Sequence, residues 1–271
     1  MPELPEVETT VRGIAAVLER QTLTRVEPRR PDLRRPIPPD LRQRLTGATV
    51  TGLSRRAKYG LIDTDRGDTL VFHLGMSGRW RVDPQDIGPH DHLLIETGSG
   101  RLLALNDHRR FGSLDLVRTE ALSEWGPFRT LGPEPLGEAF SWRTLAAAFD
   151  GRTAAVKSLL LDQRIVAGLG NIYVCEALFM ARIKPHRPAG SVPAARLKAL
   201  EPAIRAVLSA AIEAGGSSLR DFAQPGGELG YFSKQWQVYG REGETCPGCG
   251  HTVERRVDGG RSSFWCRRCQ R

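Results

Sequence analysis

Val7, Val11, Ile14 and Leu18 recur at three- and four-residue spacing, which predicts an amphipathic helix over residues 4–19. Beyond it the apolar and β-branched residues fall into short runs: Ala48–Leu53, Tyr59–Thr64, Thr69–Leu74, Leu93–Glu96, Arg101–Leu105 and Ser113–Val117. Turns rich in Gly, Asp, Pro and Arg separate them. Six short strands behind one helix predict a β-sandwich or barrel, with Pro31–Pro39 as a loop inside it. After Leu131-Gly-Pro-Glu-Pro-Leu136 the period changes, and a linker is expected there. Trp142–Phe149, Ala154–Asp162, Ile172–Ala181 and Pro193–Ala214 read as helices. The last carries Leu197, Leu200, Ile204, Val207, Leu208 and Ile212 on one stripe. A glycine-rich segment at 215–230 precedes a cysteine-bearing end. The expected organisation is an α+β chain with a β-rich domain at 1–131, a helical domain at 132–230 and a small ribbon at 231–271.

Composition supports folded domains: of 271 residues, 40% are hydrophobic and 26% charged, which excludes global disorder. No apolar run approaches the roughly eighteen residues of a membrane-spanning helix. The opening Met1-Pro2-Glu3-Leu4-Pro5-Glu6 puts acids where an export signal would carry positive charge, so a cytoplasmic location is expected. The formal net charge is +8, and it is unevenly placed. Residues 25–58 carry +7 and residues 234–271 carry +4, while the remainder sums to −3. Two separated basic regions point to a polyanion such as nucleic acid.

Cys175 stands alone in an apolar helical stretch and reads as a buried thiol. The other four cysteines form Cys246-x2-Cys249-x16-Cys266-x2-Cys269. Paired Cys-x-x-Cys turns at this separation suit one tetrahedral Zn2+ held by four thiolates. Such a site has no open coordination position, so the expected zinc is structural. Thioredoxin-like redox chemistry would need a surrounding βαβ pattern, which the sequence lacks.

Two readings stand for the extreme N-terminus. Methionine ahead of proline is normally trimmed in cells, which would leave Pro2 as a free secondary amine. An α-amine has a pKa of about 7.7–8.0, so a neutral, nucleophilic fraction exists near pH 7 and could attack an aldehyde-like carbon. Glu3 beside it could move protons. Alternatively, the segment is a stiff lead-in, with acids favourable at the positive end of a helix.

Six ordered motifs bear on that choice: Met1-Pro-Glu-Leu-Pro-Glu-Val-Glu8, Arg56-Ala-Lys-Tyr59, His73-Leu-Gly-Met-Ser-Gly78, Asp107-His-Arg-Arg-Phe-Gly112, Gly168-Leu-Gly-Asn-Ile-Tyr173 and the cysteine ribbon. Together they resemble the bacterial formamidopyrimidine-DNA glycosylases, which are 8-oxoguanine glycosylases and AP lyases. The resemblance spans essentially the whole chain. It implies a β-sandwich, a helix–two-turns–helix domain and a zinc-finger hairpin, acting on damaged duplex DNA as a monomer.

Carried over motif by motif, the resemblance implies that Pro2 is the nucleophile and Glu3 the acid. Lys58 would contact phosphate and assist elimination. Met76, Arg109 and Phe111 would fill the gap left by an extruded nucleotide, replacing its stacking and pairing. His90 and Arg152 would contact DNA, Lys157 would lie near the damaged base, and Asn171 would contact phosphate from an N-cap position. His92 reads instead as a packed strand residue. Arg261, on a hairpin between the cysteine pairs, would bind phosphate and assist δ-elimination. Gly216–Tyr231 resembles the segment covering the flipped base, with Ser217, Ser218 and Tyr231 as possible contacts. Two rivals remain. An endonuclease VIII-type enzyme would prefer oxidised pyrimidines, but Leu4 and the Met76/Arg109/Phe111 set favour the purine enzyme. A non-enzymatic zinc-ribbon DNA-binding protein would explain the charge and cysteines, but not Pro2-Glu3.

Overall fold

The computed structural model describes residues 2–217, 224–228 and 230–271. It groups the chain into two compact units: Met1–Arg129 with Ala214–Ser233, and Thr130–Glu213 with Lys234–Arg271. The contacts therefore cut the chain differently from the three-segment expectation. The glycine-rich stretch assigned to the helical domain belongs with the β-rich unit, and the cysteine ribbon belongs with the helices.

In the first unit, helix α1 (Leu4–Leu18) starts at Glu3, whose backbone N–H donates to the Glu6 carboxylate at 2.9 Å, half of a capping box. The strands are β1 (Leu23–Pro28), β2 (Val50–Arg56), β3 (Tyr59–Thr64), β4 (Asp68–His73), β5 (Arg79–Val82), β6 (Asp91–Thr97), β7 (Leu102–Asn106) and β8 (Ser113–Arg118). They form two antiparallel four-stranded sheets, ordered β1-β6-β7-β5 and β2-β3-β4-β8. The apolar stripe of α1 joins the inward faces of both sheets in one core that includes Val26, Phe72, Trp80 and Leu105. Each such large side chain, fully buried, contributes about 1.5–3 kcal/mol. Two short helices complete the unit, α2 (Leu41–Leu45) and α3 (Gly126–Arg129).

Two strands and α2 depart from the sequence expectation. β1 alternates poorly because Arg25 and Glu27 lie on its open face and a bulge interrupts its pairing between Leu23 and Arg25. β5 has four residues, two of them arginine. Its one buried residue, Trp80, packs edge-on against Phe72. Five residues of α2 emerge directly after the Pro-rich loop, held by buried Leu41 and Leu45.

The second unit holds α4 (Trp142–Phe149), α5 (Val156–Leu160), α6 (Asn171–Met180) and α7 (Ala194–Glu213), then the hairpin β9 (Glu254–Asp258) and β10 (Arg261–Trp265). Helix α6 is apolar on nearly every face, which places it centrally, packed by α5, α7 and β10. Cys175 from α6 is fully buried in a cluster with Val238, Val253, Phe264 and the ribbon cysteines. Glu176, one residue on, is buried and accepts the backbone N–H groups of Gln237, Val238 and Tyr239 at 2.8, 3.0 and 2.8 Å. Burial pushes its carboxyl above the ordinary carboxylate range, against the opposing effect of those three donors.

Candidate functional site

Pro2 and Glu3 are both buried at the head of α1. Glu6 fixes that head twice over: one carboxylate oxygen takes the Glu3 N–H, and the other takes the Ser217 N–H at 2.8 Å. Ser217 in turn bridges Tyr231 in antiparallel fashion. The two described ends of the candidate lid are thereby tied beside the N-terminal residues. Ser218 lies outside the described residues.

Lys58 occupies the two-residue turn between β2 and β3, after Ala57 in a left-handed conformation (φ 52°), and is buried. Arg55 positions this turn. Its guanidinium pairs with Glu8 of α1 at 3.0 Å and donates to the Ala57 carbonyl at 2.9 Å. The pair is itself shielded, with side-chain exposures of 9% and 22%, so it is held more firmly than a surface ion pair.

Met76, Arg109 and Phe111 come together because of Asp107. Its buried carboxylate accepts the Ser77 hydroxyl at 2.5 Å and the Gly112 N–H at 2.8 Å, while the Arg109 N–H donates to Ser77 Oγ at 3.2 Å. One side chain thus locks the Met76 turn to the Arg109–Phe111 loop. The approach is so close that a Cβ on Gly75 would lie 2.3 Å from the Phe111 carbonyl carbon, and Gly75 sits at φ 62°. Phe111 is 43% exposed, with the Arg109 guanidinium 4.9 Å over its ring. This exposed aromatic is no core residue. A cavity of about 620 Å³ is lined by all three residues together with Arg34 and His73.

His73 Nδ1 accepts the Gly75 N–H at 3.0 Å, and burial, aided by repulsion from Lys58, Arg34 and Arg35, pulls its pKa down to about 4. His90 is exposed, whereas His92 is buried on β6 with Nε2–H donating to the Asp107 carbonyl at 2.9 Å.

In the second unit, Arg152 and Arg261 are exposed. Lys157 is neither an exposed helix lysine nor a dangling one. It is buried, and its ammonium donates to the Ser262 carbonyl at 2.7 Å and to Ser263 Oγ at 2.8 Å. Asn171 is the first helical residue of α6 and not its N-cap, which is Gly170. Its amide also donates to the Ser262 carbonyl, at 2.9 Å. Two donors from the helical body therefore pin the residue next to Arg261. The turn preceding α6 is stapled by Gln163, which donates to the Leu161 and Leu169 carbonyls and accepts the Gly168 N–H.

The four ribbon sulfurs lie within 4.8 Å of one another, with Cys246–Cys269 at 3.8 Å and Cys249–Cys266 at 3.5 Å. A tetrahedron with Zn–S bonds of about 2.3 Å has edges of about 3.8 Å, so the donor set fits zinc. Burial and the neighbouring thiols push Cys269 up to about 12, a value that a bound cation would reverse.

A profile described as the formamidopyrimidine-DNA glycosylase N-terminal domain matches residues 1–114, one described as the H2TH domain of the same family matches 131–223, and a zinc finger found in FPG and IleRS matches 243–271. The chain belongs to the formamidopyrimidine-DNA glycosylase family. Curated relatives with that name from Rhizorhabdus wittichii and Novosphingobium aromaticivorans are 67% and 68% identical, with both chains covered completely. The crystal structure of the MutM (FPG) protein from Thermus thermophilus superposes with TM-score 0.90 at 42% identity, covering 99% of this chain and 98% of that one. A mutant Lactococcus lactis FPG in complex with Fapy-dG-containing DNA gives 0.92 at 33% identity, with 99% of each covered. In this family member the zinc finger is the four-cysteine cluster. Asp107, Arg55, Glu6 and Gln163 were not singled out as site residues from sequence. Glu6 and Asp107 carried a signal there, as members of two of the motifs.

Proposed function

We propose that the protein is a base-excision-repair DNA glycosylase and AP lyase that removes oxidised purines, 8-oxoguanine and formamidopyrimidines, from duplex DNA. The reading rests on one observation above the others: Pro2-Glu3 is held at the head of α1 by Glu6, within a chain that matches the family from end to end. The nucleotide must first leave the base stack. Met76 and Phe111 supply apolar surface for the gap, and Arg109 a planar cation for the unpaired partner base. The mature Pro2 nitrogen attacks C1′, and the glycosidic bond breaks as the base departs with its electron pair. Glu3 donates the proton that opens the sugar, leaving an iminium on Pro2. Loss of a C2′ proton then expels the 3′ phosphate, and a second elimination expels the 5′ phosphate. Lys58 holds phosphate and relays protons in the first, and Arg261 assists the second.

His90, Arg152, Lys157 and Asn171 form the wider DNA-binding set. For Lys157 and Asn171 the role runs through the Arg261 hairpin that both hold. Zinc, bound by Cys246, Cys249, Cys266 and Cys269, supports that hairpin and takes no part in the chemistry. Among the described residues no helix is long and apolar enough to cross a membrane. We place the enzyme as a monomer on cytoplasmic bacterial DNA, where the thiols stay reduced.

Borohydride trapping tests the reading. A duplex carrying 8-oxoguanine should yield a covalent adduct at Pro2 and a nick on both sides of the lesion, with thymine glycol cleaved far more slowly. An uncleavable N-terminal extension should abolish trapping. Undiminished trapping with the extension in place would overturn the role of Pro2, and preference for thymine glycol would overturn the substrate class.

A further inference from the structure

The Pro-rich loop between β1 and α2 carries a charge that the proposed chemistry leaves unused. Residues 31–37 form a closed turn. The Leu33 N–H donates to the Arg35 carbonyl at 2.9 Å, the Ile37 N–H donates to the Pro31 carbonyl at 2.9 Å, and Asp32 bridges Pro36 in antiparallel fashion. Leu33 and Ile37 are buried in the sandwich core. Arg35 clamps the turn to β8, donating to Ser113 Oγ at 3.0 Å and pairing with Asp115 at 2.5 Å, with its guanidinium 5.9 Å from the centre of the Trp125 ring. The Arg34 N–H donates to the Gly112 carbonyl at 3.0 Å, next to Phe111. The turn is therefore fixed both to the sheet and to the loop that bears Arg109 and Phe111.

None of these anchors uses the Arg34 side chain. Arg30 takes Asp32 and Arg35 takes Asp115. Among the described residues the exposed Arg34 guanidinium has neither an ion pair nor a hydrogen bond. It lines the cavity of Met76, Arg109 and Phe111, where three arginines, Arg34, Arg109 and Arg110, stand against Asp32, a carboxylate already paired. Its charge is felt at the cavity wall, where burial and then repulsion from Lys58, Arg34 and Arg35 keep His73 unprotonated. A cation on a turn held in this way is preorganised, so little ordering entropy is lost when it meets an anion.

We propose that Arg34 is a further DNA-binding residue, which captures a backbone phosphate beside the gap that Met76, Arg109 and Phe111 fill. Arg109, stacked on Phe111, is the cation for the unpaired base, and Arg34 answers the backbone. The planar guanidinium fork suits two phosphate oxygens at once. A cavity of about 620 Å³ is about 10 Å across, or three base steps of about 3.4 Å, so the phosphate lies within about three nucleotides of the gap. Because the turn is bonded to Gly112, the phosphate contact and the wedge keep one register.

The inference deepens the reading of the protein as a DNA glycosylase and rests on it. Binding is measured on a duplex carrying a tetrahydrofuran abasic analogue, which the enzyme cannot cleave, over a range of salt concentrations. Arg34→Ala should weaken binding about tenfold at ~0.1 M salt and lower the slope of log K against log salt by about 0.9, the mark of one lost phosphate contact. Arg34→Lys, which keeps the charge but not the fork, should keep the parent slope. Neutral methylphosphonates are then placed one at a time at the phosphates flanking the analogue on both strands. At one position the replacement should weaken the parent about tenfold and Arg34→Ala less than about twofold, because the partner charge is already gone. Arg34→Gln, similar in length but uncharged, should repeat the alanine result, and melting temperature is read for each protein. A parental slope in both the alanine and glutamine variants, or a methylphosphonate penalty equal in parent and variant at every position, would overturn the inference. A parent that binds the abasic duplex no better than an intact one would count instead against the glycosylase reading.

Discussion

Truncating Asp107 to alanine removes the acceptor that joins the two segments bearing Met76, Arg109 and Phe111. The residue is 1% exposed, so water cannot replace it. Its loss leaves the Ser77 hydroxyl and the Gly112 N–H without their acceptor, each at about 1–3 kcal/mol. The expected destabilisation is thus roughly 2–6 kcal/mol, or about 5–20 °C in melting temperature for a unit of this size. Asp107→Asn should cost about half as much, since one amide oxygen can still accept from Gly112 while Ser77 loses a good acceptor. Ser77→Ala, which removes only one donor, should cost least. The functional consequence follows from geometry. A shift of about 1 Å in a positioned group can reduce rate some hundredfold, and here three such groups hang on one carboxylate. The kcat/KM for 8-oxoguanine excision should therefore fall about a hundredfold in Asp107→Ala at a temperature where the protein remains folded. Urea unfolding and steady-state excision measure the two effects. A urea midpoint equal to the parent's, together with kcat/KM within threefold, would refute the reasoning.

Acidification should weaken the first unit between about pH 6.5 and pH 4. His73 stays neutral in the fold down to about 4, while the unfolded chain binds its proton from about 6.5, so unfolding takes up a proton and stability falls as pH drops through this window. The loss is about 2–3 kcal/mol and should largely vanish in His73→Asn, which keeps an acceptor for Gly75; urea midpoints across the range report it. Glu176→Ala should destabilise the second unit by roughly 3–5 kcal/mol, because three backbone N–H groups lose a buried acceptor, whereas Glu176→Gln should cost about 1–2. Hydrogen exchange at residues 237–239 should speed up accordingly. Stripping zinc with a chelator should abolish strand cleavage and release protection in the β9–β10 hairpin, with both restored by added Zn2+ and the α1 amides unaffected.

The elements legible in the sequence were those whose packing has one simple period. The α1 stripe, the short apolar run of β3 and the helices α4 and α7 fall within a residue or two of their expected limits. β1 and β5 were not legible. Their open faces are charged, and each buries only one or two side chains, so no period rises above the surrounding loop. That the glycine-rich stretch groups by contact with the β-rich unit was not legible, for a related reason. What ties it to the β-rich unit is the Ser217 N–H on Glu6 and the Val82 N–H on the Pro225 carbonyl, and backbone partnerships leave no mark on residue type.

The same distinction governs the site. The residues proposed to meet a ligand are chemically conspicuous: a proline at the start, four paired cysteines, a methionine and an aromatic in turns. The residues that hold them are acids that read as surface charge. Glu6 joins the head of α1 to the lid stem, Asp107 joins two turns, Glu8 reaches the Lys58 turn through Arg55, and Glu176 joins α6 to the ribbon. An ionised carboxylate can accept several donors at once, and each charge-assisted bond is worth more than a neutral one. One such side chain can therefore cross-link loops that have no apolar surface to pack. On the proposed function Phe111 and Arg261 must stay exposed to DNA, and exposed loops cannot be held by a hydrophobic core. Buried acids accepting backbone N–H groups are the means left to fix them, and their loss should loosen the site before it unfolds the sandwich.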